Sequence, residues 1–450
     1  MLVGATTPKS EAAHHWIGVS IPRSGHHYLA RLVQDVLGDG LRYCEFYTPL
    51  DCCHQMPCGR RGAARVIFQK NHDFDLTLDA GRSDCLYVVQ TRAPLLEAMS
   101  DRELAEAVRP ELRGDVDELA IWLGKKAVYY EGFHRKWMAV GAANAIHISY
   151  ETLMQDPAGV LQALFTRAGL CVDPEAIATA VARQAGRRDD TRLGPFAPRV
   201  PKDDIAPRPY FEAFAALLAD PGDAPGAVDD KAAEAVQLAA TAHRETMAKR
   251  PSAAAAVWRT FGRKFPGNAY GNVELSQCLQ ALGEPGEALH CALEAARLQP
   301  VRWAAVKQAR DLLMQQGRHA ESLGLSRELA RQFPERPLGL IDLTVDLLHA
   351  GRAAEATVAA RRFLEVAAAA PIEQGQTCKV WALRCVAYGF NEAFFWEAAC
   401  HVLMAGGDAR RGLEAAHIAQ SMSGATGPAD LVRQAERALA EESRGGGRSL

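Results

Sequence analysis

The stretch Trp16-Ile-Gly-Val-Ser-Ile-Pro-Arg-Ser-Gly-His-His-Tyr-Leu29 joins a run of apolar residues to a polar turn and then to a helical pattern. Trp16 to Ile21 reads as a buried strand, Pro22 to Gly25 as the turn, and His26 to Leu37 as a helix. The same order recurs downstream. Arg65 to Gln69, Cys85 to Thr91 and Ala145 to Ser149 read as further buried strands, and helical patterns follow at 94–108 and 156–168. Strands alternating with helices imply an α/β fold over residues 12–218, a parallel sheet with helices on both faces.

The composition changes near residue 220. Ala219 to Asp230 holds two Pro-Gly pairs within or beside acidic residues and reads as a linker, with a connecting helix completing 219–250. Beyond it the chain is helical and alanine-rich, with a fixed period. Pro266, Pro300 and Pro334 are 34 residues apart, and so are Gly283, Gly317 and Gly351. A small residue follows each of these glycines five positions on: Ala288, Ser322 and Ala356. A glycine ending one helix and a small residue seating the next against it make a helix-pair repeat. The pattern resembles the tetratricopeptide repeat over about 267–368, so 251–440 is expected to be an all-α repeat domain and 441–450 a disordered tail.

The whole chain has 450 residues, with 51 Lys+Arg against 54 Asp+Glu and a formal net charge of −3. That balance argues against a generic nucleic-acid or membrane-surface binder. No apolar run approaches the roughly 18–20 residues that span a bilayer. Residues 1–15 lack a basic start followed by an apolar core, and the 11 cysteines lie mostly in apolar or helical contexts, so a reducing, cytoplasmic setting is expected. Cys44, Cys52, Cys53 and Cys58 cluster beside His54 without a known zinc spacing; zinc, a disulfide and buried thiols all stay open.

Chemistry-bearing residues fall where strands end. The turn at Pro22, Arg23, Ser24 and Gly25 opens a helix, and a helix N-terminus with a fixed guanidinium makes an anion cradle. No Gly-x4-Gly-Lys-Ser/Thr pattern occurs, which disfavours ordinary P-loop ATP or GTP hydrolysis. Lys70 and His72, two apart after the second of these strands, would point to one face at the sheet edge where ligands bind. Arg92 follows the next strand, with Ser100 eight residues on, and Tyr150-Glu-Thr-Leu153 follows the last. Lys125-Lys126 and Arg187-Arg188 read as solvated helix faces.

This order of motifs resembles the sulfotransferase family that uses 3′-phosphoadenosine 5′-phosphosulfate (PAPS), over about 15–200. The resemblance implies a P-loop-like sulfotransferase fold in which Pro22, Arg23, Ser24 and Gly25 grip the 5′-phosphosulfate and Tyr28 stacks on adenine. It implies His72 as catalytic base with Lys70 and Arg23 beside the leaving phosphate, and Arg92 with Ser100 on the 3′-phosphate. Tyr150 to Leu153 matches the family's Tyr-Glu-x-Leu helix start. The family has paired threonines where this chain has His26 and His27. Its late Arg-Lys-x-Gly element has no match, Arg187 and Arg188 being the nearest basic residues. One of the two histidines is expected to face the ligand and to titrate between roughly pH 6 and 8.

The chemistry stands beside the resemblance. Sulfuryl transfer needs cations at two anionic ends and a base for the attacking hydroxyl, and it requires no metal. The expected acceptor is a hydroxyl of a carbohydrate, lipid or small metabolite, with a protein partner able to lie on the helical repeats. The rivals are a nucleotide-dependent phosphotransferase and a catalytically inactive repeat-containing interaction protein.

Overall fold

The computed structural model describes residues 14–46, 55–59, 64–108, 112–140, 144–187, 208–219, 229–300 and 302–352. It also describes parts of 354–366, residues 400 and 404, and the helices at 409–423 and 429–445. The chain divides into two compact units, Met1–Phe261 and Gly262–Leu450.

The first unit is built on five strands: β1 (His14–Ser20), β2 (Leu41–Glu45), β3 (Val66–Asn71), β4 (Leu86–Thr91) and β5 (Ala145–Ser149). All neighbours are parallel, in the order β2-β3-β1-β4-β5. The chain leaves β1 toward one edge and, after β3, crosses to the other. The C-terminal ends of β1, β3 and β4 therefore meet where the winding reverses, the place where open parallel sheets bind ligands. β2 is short and half polar (Leu-Arg-Tyr-Cys-Glu), and the sequence reading missed it; its pairing with β3, not its own pattern, makes it a strand.

Helices cover both faces: α1 (His26–Leu37), α2 (Pro94–Val108), α3 (Val116–Trp137), α4 (Tyr150–Gln155), α5 (Pro157–Arg167), α6 (Pro174–Arg187), α7 (Arg208–Leu218) and α8 (Asp230–Met247). Alternate strand residues feed opposite cores, as the two-residue period requires. Ile17, Val19, Tyr87 and Val89 pack with Leu123, Tyr130 and Phe133 of α3, Phe214 of α7 and Val236 of α8. Trp16, Phe68 and Val88 pack with Leu29 and Val33 of α1, Leu161 and Phe165 of α5, and Ile177 of α6. α8 lies in the segment expected as linker and connecting helix, yet it is part of this core. Gly124 of α3 admits it: a Cβ there would come within 2.5 Å of Ala239 Cβ and 2.7 Å of the Ala240 amide nitrogen. α9 (Pro251–Lys264) contains the division between the units, with Trp258 ringed by His243 and Phe261.

The second unit is built of tetratricopeptide-like helix pairs: α10 (Ala269–Ala281), α11 (Pro285–Leu298), α12 (Trp303–Gln315), α13 (His319–Gln332) and α14 (Pro337–His349). Gly283, Gly317 and Gly351 have φ of 75°, 70° and 70°, the left-handed cap that the 34-residue period implied. Glu284 N–H bonds the Leu279 carbonyl, and Arg318 N–H the Leu313 carbonyl, closing the carbonyls each helix end would otherwise leave open. Ala288, Ser322 and Ala356 are fully buried. Arg310 on α12 is buried against Asp342 and Asp346 on α14, at 3.0 Å to each, while Ser322 Oγ donates to Asp346 at 2.6 Å. α15 (Ala409–Ser423) and α16 (Ala429–Gly445) follow and share a core with α14. α16 carries through residues 441–445, where a disordered tail was expected; Ala438, Ala440, Glu441 and Glu442 are good helix formers that prolong it. Among the described residues no helix is long and apolar enough to cross a membrane.

Candidate functional site

The turn after β1 is shaped by two left-handed residues, Arg23 (φ 62°) and Gly25 (φ 84°). A non-glycine residue in that region costs on the order of 1–3 kcal/mol and is held only when its surroundings dictate it. Here Ile21 N–H bonds the Gln90 carbonyl, Ser24 N–H and Oγ both bond the Ile21 carbonyl, and Leu29 N–H bonds the Gly25 carbonyl to start α1. Gly25 is obligatory for space as well, since a Cβ would lie 2.8 Å from Tyr150 Cδ2. Ser24 is buried with its hydroxyl committed inside the turn at 2.6 Å.

β3 and β4 bring the other groups to the same edge. Arg23 Nε donates to Ser100 Oγ at 3.3 Å, and Arg92 Nη1 donates to the Arg23 carbonyl at 3.0 Å. The Arg92 guanidinium lies 4.3 Å over the Tyr150 ring. Arg92, Ser100, Arg23 and Tyr150 are thus brought together, with Ser100 bonded to Arg23 rather than to Arg92. Tyr28 packs partly against the α1 core.

His72 stands just beyond β3. Its Nδ1 lies 2.6 Å from the Ser20 carbonyl and 3.2 Å from Ser20 Oγ. A carbonyl only accepts, so Nδ1 carries the proton and Nε2 is the basic nitrogen. Burial, above all, pushes the ring down to about 4, against the opposing pull of the Ser20 carbonyl; His72 is neutral at pH 7. The loop behind it is pinned by Asp73, whose buried carboxylate accepts from Lys136 Nζ and Trp137 Nε1 at 2.8 Å each and from Leu78 N–H at 2.9 Å. Tyr129 donates to the His72 carbonyl.

The two histidines of the turn separate, as consecutive helix positions must. His26 is turned into the core, its ring 5.0 Å from Phe68, in space that Gly18 leaves open: a Cβ on Gly18 would lie 2.2 Å from His26 Cε1. It is therefore no cradle ligand, a correction to the sequence reading. His27 faces outward and accepts from Lys70 Nζ at 2.7 Å, and both lie 3.4 Å from Glu45. Burial first, and then Lys70, lower the pKa of His26 and of His27, with Glu45 opposing the shift of the exposed His27; both shifts run away from the titration between pH 6 and 8 expected of a cradle histidine. Burial also lowers the pKa of Lys70, opposed by Glu45. Glu45 escaped the sequence reading because β2 did; its register partner on β3 is Lys70.

Lys126 is not on a solvated face. It is buried and donates to Glu97 at 2.9 Å and Asp101 at 2.8 Å, and burial lifts the Glu97 carboxyl to about 7 against the pull of Lys126. Cys44 and Cys58 are buried around Ile67. Cys52, Cys53 and His54, Arg188 and the Arg187 side chain lie outside the described residues. Among the described residues no cluster of His, Cys, Asp or Glu could hold a metal ion.

No family model matches the chain, and no curated protein does. Among solved structures it is similar to MamA, at 8% identity over 45% of this chain and 96% of that one, TM-score 0.29. It is similar to a thermophilic tetratricopeptide-repeat protein of Thermus thermophilus, TTC0263, at 12% identity over 44% and 95%, TM-score 0.26. The tetratricopeptide domain of P58(IPK) aligns at 15% identity over 78% and 95%, TM-score 0.21. At these scores the repeat architecture rests on the chain's own 34-residue spacing and helix pairing.

Proposed function

We propose that the first unit is a PAPS-dependent sulfotransferase, with a P-loop-like sulfotransferase fold, acting on a hydroxyl-bearing acceptor. The observation that carries this reading is the meeting of Arg23, Lys70, His72, Arg92 and Ser100 at the one sheet edge where the winding reverses. The set suits the donor's two anionic ends. Arg92 Nε is buried and has no hydrogen-bond partner among the described residues, and an unmade guanidinium hydrogen bond is costly. A phosphate oxygen is an acceptor that satisfies it with charge assistance.

PAPS when bound supplies the sulfuryl group: an acceptor oxygen–sulfur bond forms, the bond from sulfur to the 5′-phosphate oxygen breaks, and adenosine 3′,5′-bisphosphate departs. His72 Nε2 takes the acceptor's proton, its ring held in the required tautomer by the Ser20 carbonyl. Lys70 and Arg23 offset the charge that develops on the departing phosphate. Arg92, with Ser100 orienting Arg23, holds the 3′-phosphate, and Tyr150 keeps the Arg92 fork flat. Incubation with labelled PAPS and a panel of hydroxyl compounds, without added divalent cation, tests the reading. Labelled product is expected; transfer from ATP only with Mg²⁺ would favour the phosphotransferase instead.

A second reading has its own support. The helix-pair array offers a surface for a protein partner, and Ser24 and His26 are turned inward where the sulfotransferase family presents ligand contacts. On that reading the chain is an interaction protein whose first unit is inactive, and no adenosine bisphosphate binds.

A further inference from the structure

Where the resemblance puts the second threonine of the cradle, His27 stands between two charges of opposite sign. Its Nε2 lies 2.7 Å from Lys70 Nζ, and its Nδ1 lies 3.4 Å from Glu45 Oε1. Three elements bring these groups together: α1 carries His27, and the register of β2 on β3 sets Glu45 beside Lys70. Phe46 N–H bonds the Lys70 carbonyl at 3.0 Å, extending that pairing past the end of β2. Tyr43 donates its hydroxyl proton to Glu45 Oε1 at 3.1 Å, which fixes the carboxylate. An ammonium can only donate, so Nε2 of His27 accepts from Lys70 and the ring proton sits on Nδ1, the nitrogen nearer Glu45.

The two contacts of Lys70 are unequal, and the difference is informative. Its ammonium is in full hydrogen-bond contact with the imidazole, yet 3.4 Å from Glu45 Oε2, longer than the roughly 2.7–2.9 Å of a charge-assisted bond. Register alone would let a flexible lysine close on the carboxylate opposite it. The imidazole engages both partners at once and keeps that closure from completing. A cation fully paired with a carboxylate has little left to offer a phosphate, whereas one held by a neutral ring keeps its charge and its remaining donors. We infer that His27 is a positioning residue: it holds Lys70 short of a full ion pair with Glu45 and so keeps the ammonium available to the departing 5′-phosphate. The inference rests on the sulfotransferase reading for what Lys70 does, but not for where His27 holds it.

Two readouts on the full chain separate those claims. His27 is exposed, and an unchanged melting temperature checks that each variant keeps its fold. The first readout is acetylation of Lys70 by acetic anhydride at pH 8, followed by mass spectrometry relative to the exposed Lys125. In His27→Ala the freed ammonium closes on Glu45, which favours its protonated, unreactive form. Lys70 is then expected to react at least about threefold more slowly, while His27→Gln, whose amide both accepts and donates, keeps the wild-type rate. Adding Glu45→Gln to His27→Ala should reverse the slowing. Labelling of His27→Ala as fast as wild type, or faster, would overturn the inference. The second readout is turnover of PAPS. His27→Ala should lower kcat at least about tenfold with the KM for PAPS within about threefold, and His27→Gln should recover most of the loss. His27→Ala should cost nothing further in a Lys70→Ala background. Additive losses, or no recovery by glutamine, would overturn it. If the labelling behaves as expected but no acceptor is ever sulfated, the holding of Lys70 stands and the sulfuryl-transfer reading falls. If His27→Ala transfers sulfate undiminished, the positioning role falls and that reading stands.

Discussion

His72 and Arg92 concentrate the chemical claim. Nδ1 of His72 is tied to the Ser20 carbonyl, so truncation removes the base without removing any proposed contact to the donor. His72→Ala is expected to lower turnover at least about a hundredfold and leave affinity for adenosine 3′,5′-bisphosphate nearly intact; rapid kinetics alongside equilibrium titration separates the two, and retained turnover removes His72 from its role. Because the ring is pushed down to about 4, it stays unprotonated from pH 8 to pH 5, so kcat should be flat over that range on its account; a fall centred near 6.5 would mean an unperturbed imidazole is the base. Arg92→Ala should weaken the 3′,5′-bisphosphate by about 1.5–3 kcal/mol and hardly touch adenosine 5′-phosphate. Equal losses for both ligands would place Arg92's role in folding, through its bond to the Arg23 carbonyl.

Between elements, packing and buried charge set the architecture. Ala288 is fully buried at a repeat contact, so Ala288→Leu should destabilise the second unit by about 1–3 kcal/mol. Arg310→Met should cost more, about 3–5 kcal/mol, since it strands Asp342 and Asp346 without their cation. Chemical denaturation read at the second unit checks both, and an Arg310→Met protein as stable as wild type would mean that those carboxylates protonate at no cost. The repeats were legible in sequence because a left-handed glycine and a small residue recur at fixed spacing, and both are local demands. Four strands were legible: β1, β3 and β4 are buried on both faces and read as apolar runs, and β5, at the sheet edge, keeps two isoleucines in an alternating pattern. β2 was not, because its strand character comes from β3, and with it Glu45 was lost. His26 was misjudged because its inward turn depends on the missing side chain of Gly18 on another element. α8 was read as a connector because its alanine-rich face becomes a core only opposite Gly124. What failed to show in the sequence was in each case set by a neighbour distant along the chain.

For the whole molecule, pH is the informative variable. His26, His72 and His243 are buried and held below the ordinary 6.5 mainly by desolvation, to about 4 for His72 and about 3 for His243. A depressed folded-state pKa contributes stability that is present above 6.5 and is lost as pH falls through the folded value. For His243, which is 6% exposed, full protonation would cost on the order of 4 kcal/mol. Glu97, lifted to about 7, and Asp342, also raised by burial, act in the opposite sense, the Glu97 contribution present below its ordinary 4.5 and lost as pH rises through 7, but the lowered histidines outnumber them. The melting temperature of the full chain should therefore fall as pH is lowered from 6.5 toward 4, and His243→Phe should blunt that fall; a profile flat down to pH 4 would show that these rings are hydrated. The central claim, that the edge at Arg23, Lys70, His72 and Arg92 is built for PAPS, is tested most directly by calorimetric titration of the wild-type chain with adenosine 3′,5′-bisphosphate and with adenosine 5′-phosphate. The account predicts saturable one-to-one binding of the bisphosphate, at least about tenfold tighter than the monophosphate and unaffected by Mg²⁺; no binding, or equal binding of the two, would contradict it.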